Sequence, residues 1–256
     1  MDAIAPAALA RSLASPRPPL VIDVRRNERF LDSDHLIDGA LHRDPARVSE
    51  WEKTLPSGAE IVVYCVHGHE VSQGVAKALG ARYLEGGIEA WKGSLDRKPK
   101  GAATRWVTRA RPKIDRIACP WLIRRFLDPQ AELFYVPTPQ VNKFAEERKA
   151  VAYDIPDVRF SHEGERCSFD AFLRHYRLES DPALRELAVV VRGADTNRLD
   201  LAPQAAGLVA LSLGLSILHK DDHEMLERGM LMYDALYAWC KEGKSEAHTW
   251  NPAAYK

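Results

Sequence analysis

Short apolar runs alternate with helix-type patterns in the first hundred residues. The runs at 19–24 and 61–65 are apolar enough for buried parallel strands, and 81–87 is typical of a short strand that ends in a turn. Helical spacing of apolar residues occurs at 6–14, 46–53 and 72–79. Strands that alternate with helices predict an α/β fold, an open parallel sheet flanked by helices.

The second half is predicted to be mainly α. Helical patterns lie at 119–127, 168–176, 182–195, 204–218 and 221–240. The segment 204–218 is almost wholly apolar, so we expect it to be buried on all sides. The last pattern begins like a capping box at Asp221 and Glu224. One face of that helix carries Leu226, Met230, Tyr233 and Tyr237.

A basic stretch separates the two halves. Residues 94–113 contain two prolines and show little periodicity, which is typical of a linker. We therefore expect an N-terminal domain over 1–96, a linker over 97–112 and a C-terminal domain over 113–256. The charge of the stretch would also suit a nucleic acid, but a solvated linker explains it better.

The composition favours a soluble protein of the cytoplasm. Lys plus Arg and Asp plus Glu both number 36, so the net charge near zero gives no reason to expect nucleic acid or an anionic membrane. The start lacks the basic segment of a signal peptide, and no apolar run reaches the ~18 residues of a spanning helix. The four cysteines form no Cys-x-x-Cys pair, which argues against structural zinc and fits a reducing compartment. They are Cys65, Cys119, Cys167 and Cys240.

One of these thiols stands at a strand–loop–helix junction. Cys65 ends the run IVVYC, and Gly68 follows in the loop before the next helical pattern. At the carboxyl end of a parallel strand, loop amides and a helix N-terminus can stabilise a thiolate or hold an anion. A buried structural cysteine at the end of a strand fits the same position equally well.

Four motifs in the first half resemble the rhodanese family. They are VIDVR (21–25), HLIDGA (35–40), CVHGHEVSQG (65–74) and LEGGIEAW (84–91). The resemblance implies a sulfurtransferase in which Cys65 accepts a sulfane sulfur as a persulfide and passes it to a thiol, without a cofactor. It implies Asp23 and Arg25 as structural support, and a small-molecule sulfur donor and thiol acceptor as partners. The implied loop that cradles the anion or persulfide comprises Val66, His67, Gly68, His69, Glu70, Val71 and Ser72.

Two features of this loop depart from the family's sulfurtransferases. Glu70 places a carboxylate where it opposes an anionic donor and thiolate formation. With a helix that begins at Ser72, the loop would hold seven residues, whereas sulfurtransferases of this fold usually have six. A loop of seven residues resembles that of the fold's phosphatases and arsenate reductases. Those relatives carry an arginine where this chain has Val71, so oxyanion hydrolysis or reduction is the weaker alternative.

The second half resembles the chromate-resistance protein family, in the form of the C-terminal domain of its regulator-type members. The similar segments are 106–137, 161–173, 189–196 and 233–238, together with Gly229. The resemblance implies a role in the chromate or thiol-stress response but no particular reaction. It leaves open a sensor that binds an oxyanion or a metal ion, with a loop that is redox-sensing or not catalytic. The oligomeric state is open too.

Ionisable residues of the second half are candidates for that site. Histidine and carboxylates together can bind iron, manganese or zinc, although no Glu-x-x-His spacing occurs here. The metal candidates and their neighbours are Asp115, Arg116, His162, Asp170, Arg192, Asp195, Asp221, Asp222 and His223. The candidates for an oxyanion such as chromate are Arg116, Arg124, Arg125 and Arg192. Ordinary structural roles compete, with Asp221 and Asp222 as helix caps and Cys119 and Cys167 as core thiols.

Overall fold

The first half of the computed structural model is an α/β domain, and residues 2–56, 58–98, 100–101 and 103–244 are described. The strands are β1 (Ala3–Ile4), β2 (Leu20–Asp23), β3 (His35–Ile37), β4 (Leu41–His42), β5 (Ile61–Tyr64), β6 (Arg82–Leu84) and β7 (Leu95–Arg97). The helices are α1 (Pro6–Leu13), α2 (Asn27–Leu31), α3 (Val48–Trp51), α4 (Glu70–Leu79) and α5 (Gly87–Ala90).

The main sheet of this half is parallel throughout and has the strand order β1-β6-β5-β2-β4. A separate antiparallel pair joins β3 to β7. The central strands β2 and β5 are buried on both faces. Since successive residues of a strand point to opposite sides of the sheet, each strand contributes side chains to two hydrophobic clusters. Leu20, Ile22 and Val63 enter one hydrophobic cluster, and Val21, Val62 and Tyr64 enter another. The predicted open parallel sheet is confirmed.

The second half packs helices around a small parallel sheet of order β10-β8-β9. The strands are β8 (Arg105–Arg109), β9 (Glu132–Val136) and β10 (Val151–Ala152). The helices are α6 (Asp115–Leu122), α7 (Val141–Arg148), α8 (Ser168–His175), α9 (Pro182–Asp195), α10 (Gln204–Leu218) and α11 (Asp222–Ala238). The π-type turns Ile123–Leu127 and Trp239–Gly243 extend α6 and α11. The mainly helical prediction is confirmed, and α9 has the predicted bounds.

The segment expected to be a linker contains a central strand. The middle residues of β8, 106–108, are buried, and β8 pairs with both β9 and β10. The linker prediction over 97–112 is therefore wrong for this strand. The strand has only three buried positions, and they lie between the charged ends Arg105 and Arg109 and further basic residues. So short a pattern did not predict a strand.

Helix α10 is buried on one face only, so the prediction of burial on all sides is wrong. Leu208 and Ser212 are buried, whereas Leu211 is 59% exposed and Ile217 is 69% exposed. An apolar sequence carries no polar face that would mark its solvent side, and for this reason the pattern could not show it. Among the described residues, no helix combines the length and apolar character needed to cross a membrane.

The two halves share one hydrophobic core and a polar seam. A single cluster of buried side chains extends from Leu20 and Val63 of the first sheet to Phe172 and Leu187 of the helical half. Beside it, the carboxylate of Asp96 links the two halves. The distance from His175 Nε2 to Asp96 Oδ2 is 3.0 Å, and Arg159 Nη1 donates to Asp96 Oδ1 at 2.5 Å.

Gly39 lies where the helical half closely approaches the first domain. Its φ is +68°, and a Cβ there would lie 2.4 Å from both Arg177 Nη1 and the carbonyl oxygen of His175. Arg177 donates to the carbonyl oxygens of Asp38 and Gly39 at 3.1 Å each. Only glycine fits this backbone and this spacing, so the glycine of the HLIDGA motif allows the two halves to pack closely at the seam.

Candidate functional site

Cys65 is buried directly after the central strand β5, at the start of the loop that leads into α4. Its Sγ lies 3.1 Å from Ser72 Oγ. The backbone N–H groups of His67, His69 and Ser72 also face the sulfur. Burial alone would raise the pKa of Cys65. The Ser72 hydroxyl and the three amides outweigh this effect, so the pKa lies below its usual value.

Helix α4 begins at Glu70, two residues earlier than predicted, so the seven-residue count to a helix start at Ser72 is wrong. The cradle nevertheless continues into the helix, because Ser72 in its first turn still contacts the sulfur. Glu70 is exposed in the same turn. There it faces water, and a carboxylate at a helix N-terminus also stabilises the helix.

Two glycines hold the loop against the start of α5. Gly68 has a φ of +73°, and a Cβ there would lie 2.5 Å from the carbonyl oxygen of Leu84. Gly87 has a φ of +59°, and its Cβ would lie 2.3 Å from the carbonyl oxygen of Val66. The glycines of the CVHGHEVSQG and LEGGIEAW motifs therefore pack backbone to backbone, which fixes the curl of the loop around the sulfur.

Behind the loop, Asp23 and Arg25 form a buried ion pair. Arg25 Nη2 donates to Asp23 Oδ2 at 2.6 Å and to the carbonyl oxygen of His35 at 2.9 Å. The hydroxyl of Tyr64, the residue before Cys65, donates to Asp23 Oδ2 at 2.9 Å. This network ties β2, β3 and β5 together behind the thiol, a geometry that suits structural support.

A cleft of about 640 Å³ lies in front of the thiol. Arg25, Arg26 and Arg29 supply positive charge to its wall, and three carboxylates supply negative charge. The carboxylates are those of Glu28, Glu70 and Glu89. His67 Nδ1 lies 3.0 Å from Glu89 Oε2. Of the predicted loop residues, Cys65, Val66, His67, His69, Glu70 and Val71 line the cleft, whereas Gly68 and Ser72 are buried.

A second group of polar residues converges in the helical half. His162 Nε2 lies 3.1 Å from Asp195 Oδ2, 3.4 Å from Asp154 Oδ1 and 3.6 Å from Asp115 Oδ2. Asp115 and Asp154 are buried, whereas the His162 side chain is 42% exposed. We call these four residues the aspartate–histidine cluster. The sequence had indicated three of them as candidates, but not Asp154. The only sign of Asp154 in the sequence is a single carboxylate within the apolar stretch VAYDIP.

Helix ends and arginines position the carboxylates of this cluster. Asp154 Oδ2 accepts a hydrogen bond from Arg109 Nη2 at 2.6 Å and lies 3.2 Å from Arg116 Nε. Its other oxygen accepts one from Ser168 Oγ at 3.1 Å, and the Ser168 amide donates to Asp115 Oδ2 at 3.3 Å. Burial raises the pKa of Asp115 to about 7. Arg109, Arg116 and His162 thus stand opposite the three carboxylates of the cluster.

The candidate arginines of the helical half do not converge on one anion site. Each of the four is engaged with a carboxylate: Arg116 with Asp154, Arg124 with Glu227, Arg125 with Asp234, and Arg192 with Asp170. The Arg192 pair is bidentate, with contacts of 2.5 and 2.9 Å. Carboxylates in these positions compete with an oxyanion such as chromate, so the geometry gives that candidate site no support.

The remaining candidates occupy structural positions. Asp221 caps α11 by accepting from the amide of Glu224 at 2.8 Å, and Asp222 accepts from the amide of Arg111. The ring of His223 packs edge-on against Tyr135. Cys119 and Cys167 are both fully buried, and burial raises the pKa of each thiol.

Both halves match known families. Residues 5–94 match the rhodanese-like domain, and residues 106–240 match the family described as ChrB, C-terminal domain. A curated relative, Protein ChrB of Cupriavidus metallidurans, is 31% identical over 132 residues, which cover 52% of this chain and 39% of the relative. The chain thus spans about two fifths of that relative's length.

Solved structures similar to this chain cover between a third and two fifths of it. A rhodanese-related protein from Thermoplasma volcanium is 21% identical, covering 38% of this chain and 98% of that chain, with a TM-score of 0.33. A rhodanese-like domain protein from Staphylococcus aureus is 22% identical, covering 39% and 100%, with a TM-score of 0.35. A yeast protein tyrosine phosphatase of the rhodanese family is 18% identical, covering 36% and 83%, with a TM-score of 0.30.

Proposed function

Because this chain belongs to the ChrB C-terminal domain family and carries a rhodanese-like domain before it, we propose that it is a sulfurtransferase of chromate and thiol-stress resistance. Cys65 is the nucleophile, and the donor is thiosulfate or a small-molecule persulfide. We place the reaction in the cytoplasm, where the four free cysteines would stay reduced. The observation that carries the proposal is the position of Cys65, which is buried directly after a central parallel strand with its Sγ 3.1 Å from Ser72 Oγ.

The reaction has two displacements at sulfur. The Cys65 thiolate attacks the sulfane sulfur of thiosulfate, a new S–S bond forms, and the old S–S bond breaks as sulfite leaves with the electron pair. The product is a Cys65 persulfide anion. An acceptor thiolate then attacks the outer sulfur, becomes the new persulfide, and releases Cys65 as the thiolate. Both steps conserve charge, and neither needs an outside oxidant or reductant.

The loop suits both the thiolate and its persulfide. The amides of His67, His69 and Ser72 offer hydrogen bonds to whichever sulfur carries the charge. Arg26 and Arg29 on the cleft wall attract an anionic donor. The opposing carboxylates of the cleft weaken that attraction, so a persulfide of low charge should be a better donor than thiosulfate.

A second candidate is a sensor in which the loop is not catalytic and the helical half binds a metal ion. The aspartate–histidine cluster favours it, since carboxylate oxygens of Asp115, Asp154 and Asp195 all lie within 3.6 Å of His162 Nε2. The carboxylate partners of the four candidate arginines argue against an oxyanion as the sensed ligand in that half.

Intact-mass measurement separates these functions. The full chain is incubated with thiosulfate, and separately with a small-molecule persulfide, beside Cys65→Ser and the control Cys240→Ser. We expect a gain of one sulfur, about 32 Da and lost on reduction, in the wild type and in Cys240→Ser but not in Cys65→Ser. No gain with either donor, or a gain that survives in Cys65→Ser, would reject the sulfurtransferase and favour the sensor.

A further inference from the structure

We propose that the aspartate–histidine cluster binds one divalent first-row transition-metal ion. The site lies in the helical half, apart from the Cys65 loop, and no step of sulfur transfer depends on it. Asp115, Asp154 and His162 place ligand-type atoms within 4.8 Å of one another, and carboxylate and imidazole donors suit manganese, iron or zinc.

The spacing of the cluster fits a coordination shell better than hydrogen bonds. Metal–ligand bonds of ~2.0–2.2 Å place neighbouring ligand atoms roughly 3.0–3.5 Å apart in a tetrahedral or octahedral site. The three carboxylate oxygens lie 3.1, 3.4 and 3.6 Å from His162 Nε2. A single proton on that nitrogen can be donated along one direction only, so it cannot serve all three oxygens. A cation bound between these groups can contact all three oxygens.

The charges in and around the cluster are unevenly distributed. Arg109 and Arg116 both approach Asp154 through its Oδ2 atom, which leaves Oδ1 directed towards His162. Asp115 and Asp195 then share the one imidazole. Three carboxylates in a buried place repel one another, and a divalent ion offsets that repulsion more fully than one imidazolium does.

The residue that precedes Asp154 carries a buried hydroxyl. Within the described part of the chain, the fully buried Tyr153 hydroxyl has no hydrogen-bond partner, and Arg109 Nε is likewise buried and unpartnered. Burial, foremost, and then the neighbouring Tyr135 raise the pKa of Tyr153. A buried polar group without a partner is costly, and water or another ligand of a bound ion would satisfy it.

The site also has the surroundings of a metal centre. The contacts of Ser168 with Asp115 and Asp154 orient these carboxylates from outside the cluster, as the outer partners of metal ligands do. The exposed edge of His162 borders an open cleft of about 420 Å³, which gives an ion a path from solvent. The Cys167 Sγ lies within 4.8 Å of carboxylate oxygens of Asp115 and Asp195, and a thiolate there would favour zinc.

Titration of the full-length chain with Mn²⁺ and with Zn²⁺ tests the site. The protein is first stripped with a chelator and dialysed; bound Mn²⁺ is followed by electron paramagnetic resonance and bound Zn²⁺ by calorimetry. The variants are His162→Gln and Asp195→Asn. The matched control is His219→Gln, because His219 also contacts a carboxylate, that of Glu224 at 2.9 Å, but lies outside the cluster.

We expect one ion per chain in the wild type and in His219→Gln, and at least about tenfold weaker binding in the two cluster variants. Pulsed resonance of the Mn²⁺-loaded wild type should show coupling to one imidazole nitrogen, which does not depend on a variant folding. The proposal is overturned by no uptake of either ion below about 1 mM. Uptake that is unchanged in both cluster variants, or Mn²⁺ without nitrogen coupling, would overturn it equally.

Discussion

Ser72 Oγ lies 3.1 Å from Cys65 Sγ, in the first turn of the helix that follows the loop. This hydroxyl is the foremost of the groups that lower the pKa of the thiol. Replacing it in Ser72→Ala should raise the pKa of Cys65 and leave less thiolate at pH 7. We expect the alkylation rate at pH 7 to fall several-fold and its pH profile to move upward. Ser94→Ala, an exposed position, is the control, and identical profiles in both variants would contradict the role of Ser72.

Gly68→Ala should damage both stability and sulfur transfer. The substitution forces a Cβ to 2.5 Å from a backbone oxygen at a φ of +73°. We expect a loss of about 2–4 kcal/mol in the free energy of unfolding, measured with urea. Gly74→Ala is the matched control, because a Cβ there meets nothing within 4 Å and alanine favours a helix by roughly 0.5–1 kcal/mol. Equal effects of the two substitutions would be evidence against the backbone contact.

Asp96 should make the seam between the domains sensitive to acid. Burial alone would raise the pKa of Asp96, but the hydrogen bond and charge of His175 and the amide of Gly39 outweigh it and hold the pKa well below its usual range. The stability that this carboxylate contributes is present above its unfolded-state pKa of about 3.9 and is lost as the pH falls towards the folded value. We expect Asp96→Asn to cost about 3 kcal/mol at pH 7 and to flatten the acid limb of the stability profile.

Asp38→Asn is the comparison for that experiment. Burial and the neighbouring charge of Asp96 raise the pKa of Asp38, so its ionisation opposes folding at neutral pH. Its removal should therefore cost less than the removal of Asp96, although it gives up the contact with Arg159 at 3.2 Å. A larger loss in Asp38→Asn than in Asp96→Asn would contradict this assignment of charge at the seam.

The one-sided burial of α10 can be tested with two leucines. Leu208 is buried, and Leu208→Ala should cost about 2–5 kcal/mol of unfolding free energy. Leu211, three residues further on, is 59% exposed, and Leu211→Ala should change stability by no more than about 0.5 kcal/mol. Thermal unfolding of the two variants provides the comparison. Similar losses would mean that the outer face of the helix is covered.

The Cys65 loop was predictable because its determinants are local. A buried strand, a glycine and a helix start lie within a few residues, and ligands gather at the carboxyl ends of parallel strands. The helix boundary was less certain, because Glu70 and Val71 fit either the loop or the first turn. The contact between Gly68 and Gly87 could not be derived from either segment alone.

The aspartate–histidine cluster was only partly predictable because its members come from separate segments. Asp115 begins α6, Asp195 ends α9, and no periodic spacing connects them. Asp154 has a φ of +53°, a conformation that the sequence does not announce and that contributes to the direction of its side chain. The short strand β8 was missed for a related reason, since its pairing with β9 and β10 is not visible in its own five residues.

The unbroken core between the two halves limits how such a chain can be rearranged. Leu20 and Val63 face the same cluster as Phe172 and Leu187, so neither half keeps a complete interior without the other. The molecule should unfold in one calorimetric transition. Separating the halves near residue 100 would expose buried apolar side chains to water and favour aggregation. A domain that is joined to its neighbour only by a flexible linker can be exchanged independently during evolution. This rhodanese-like domain could be replaced only by one that offers the same apolar face, so the two have to evolve together.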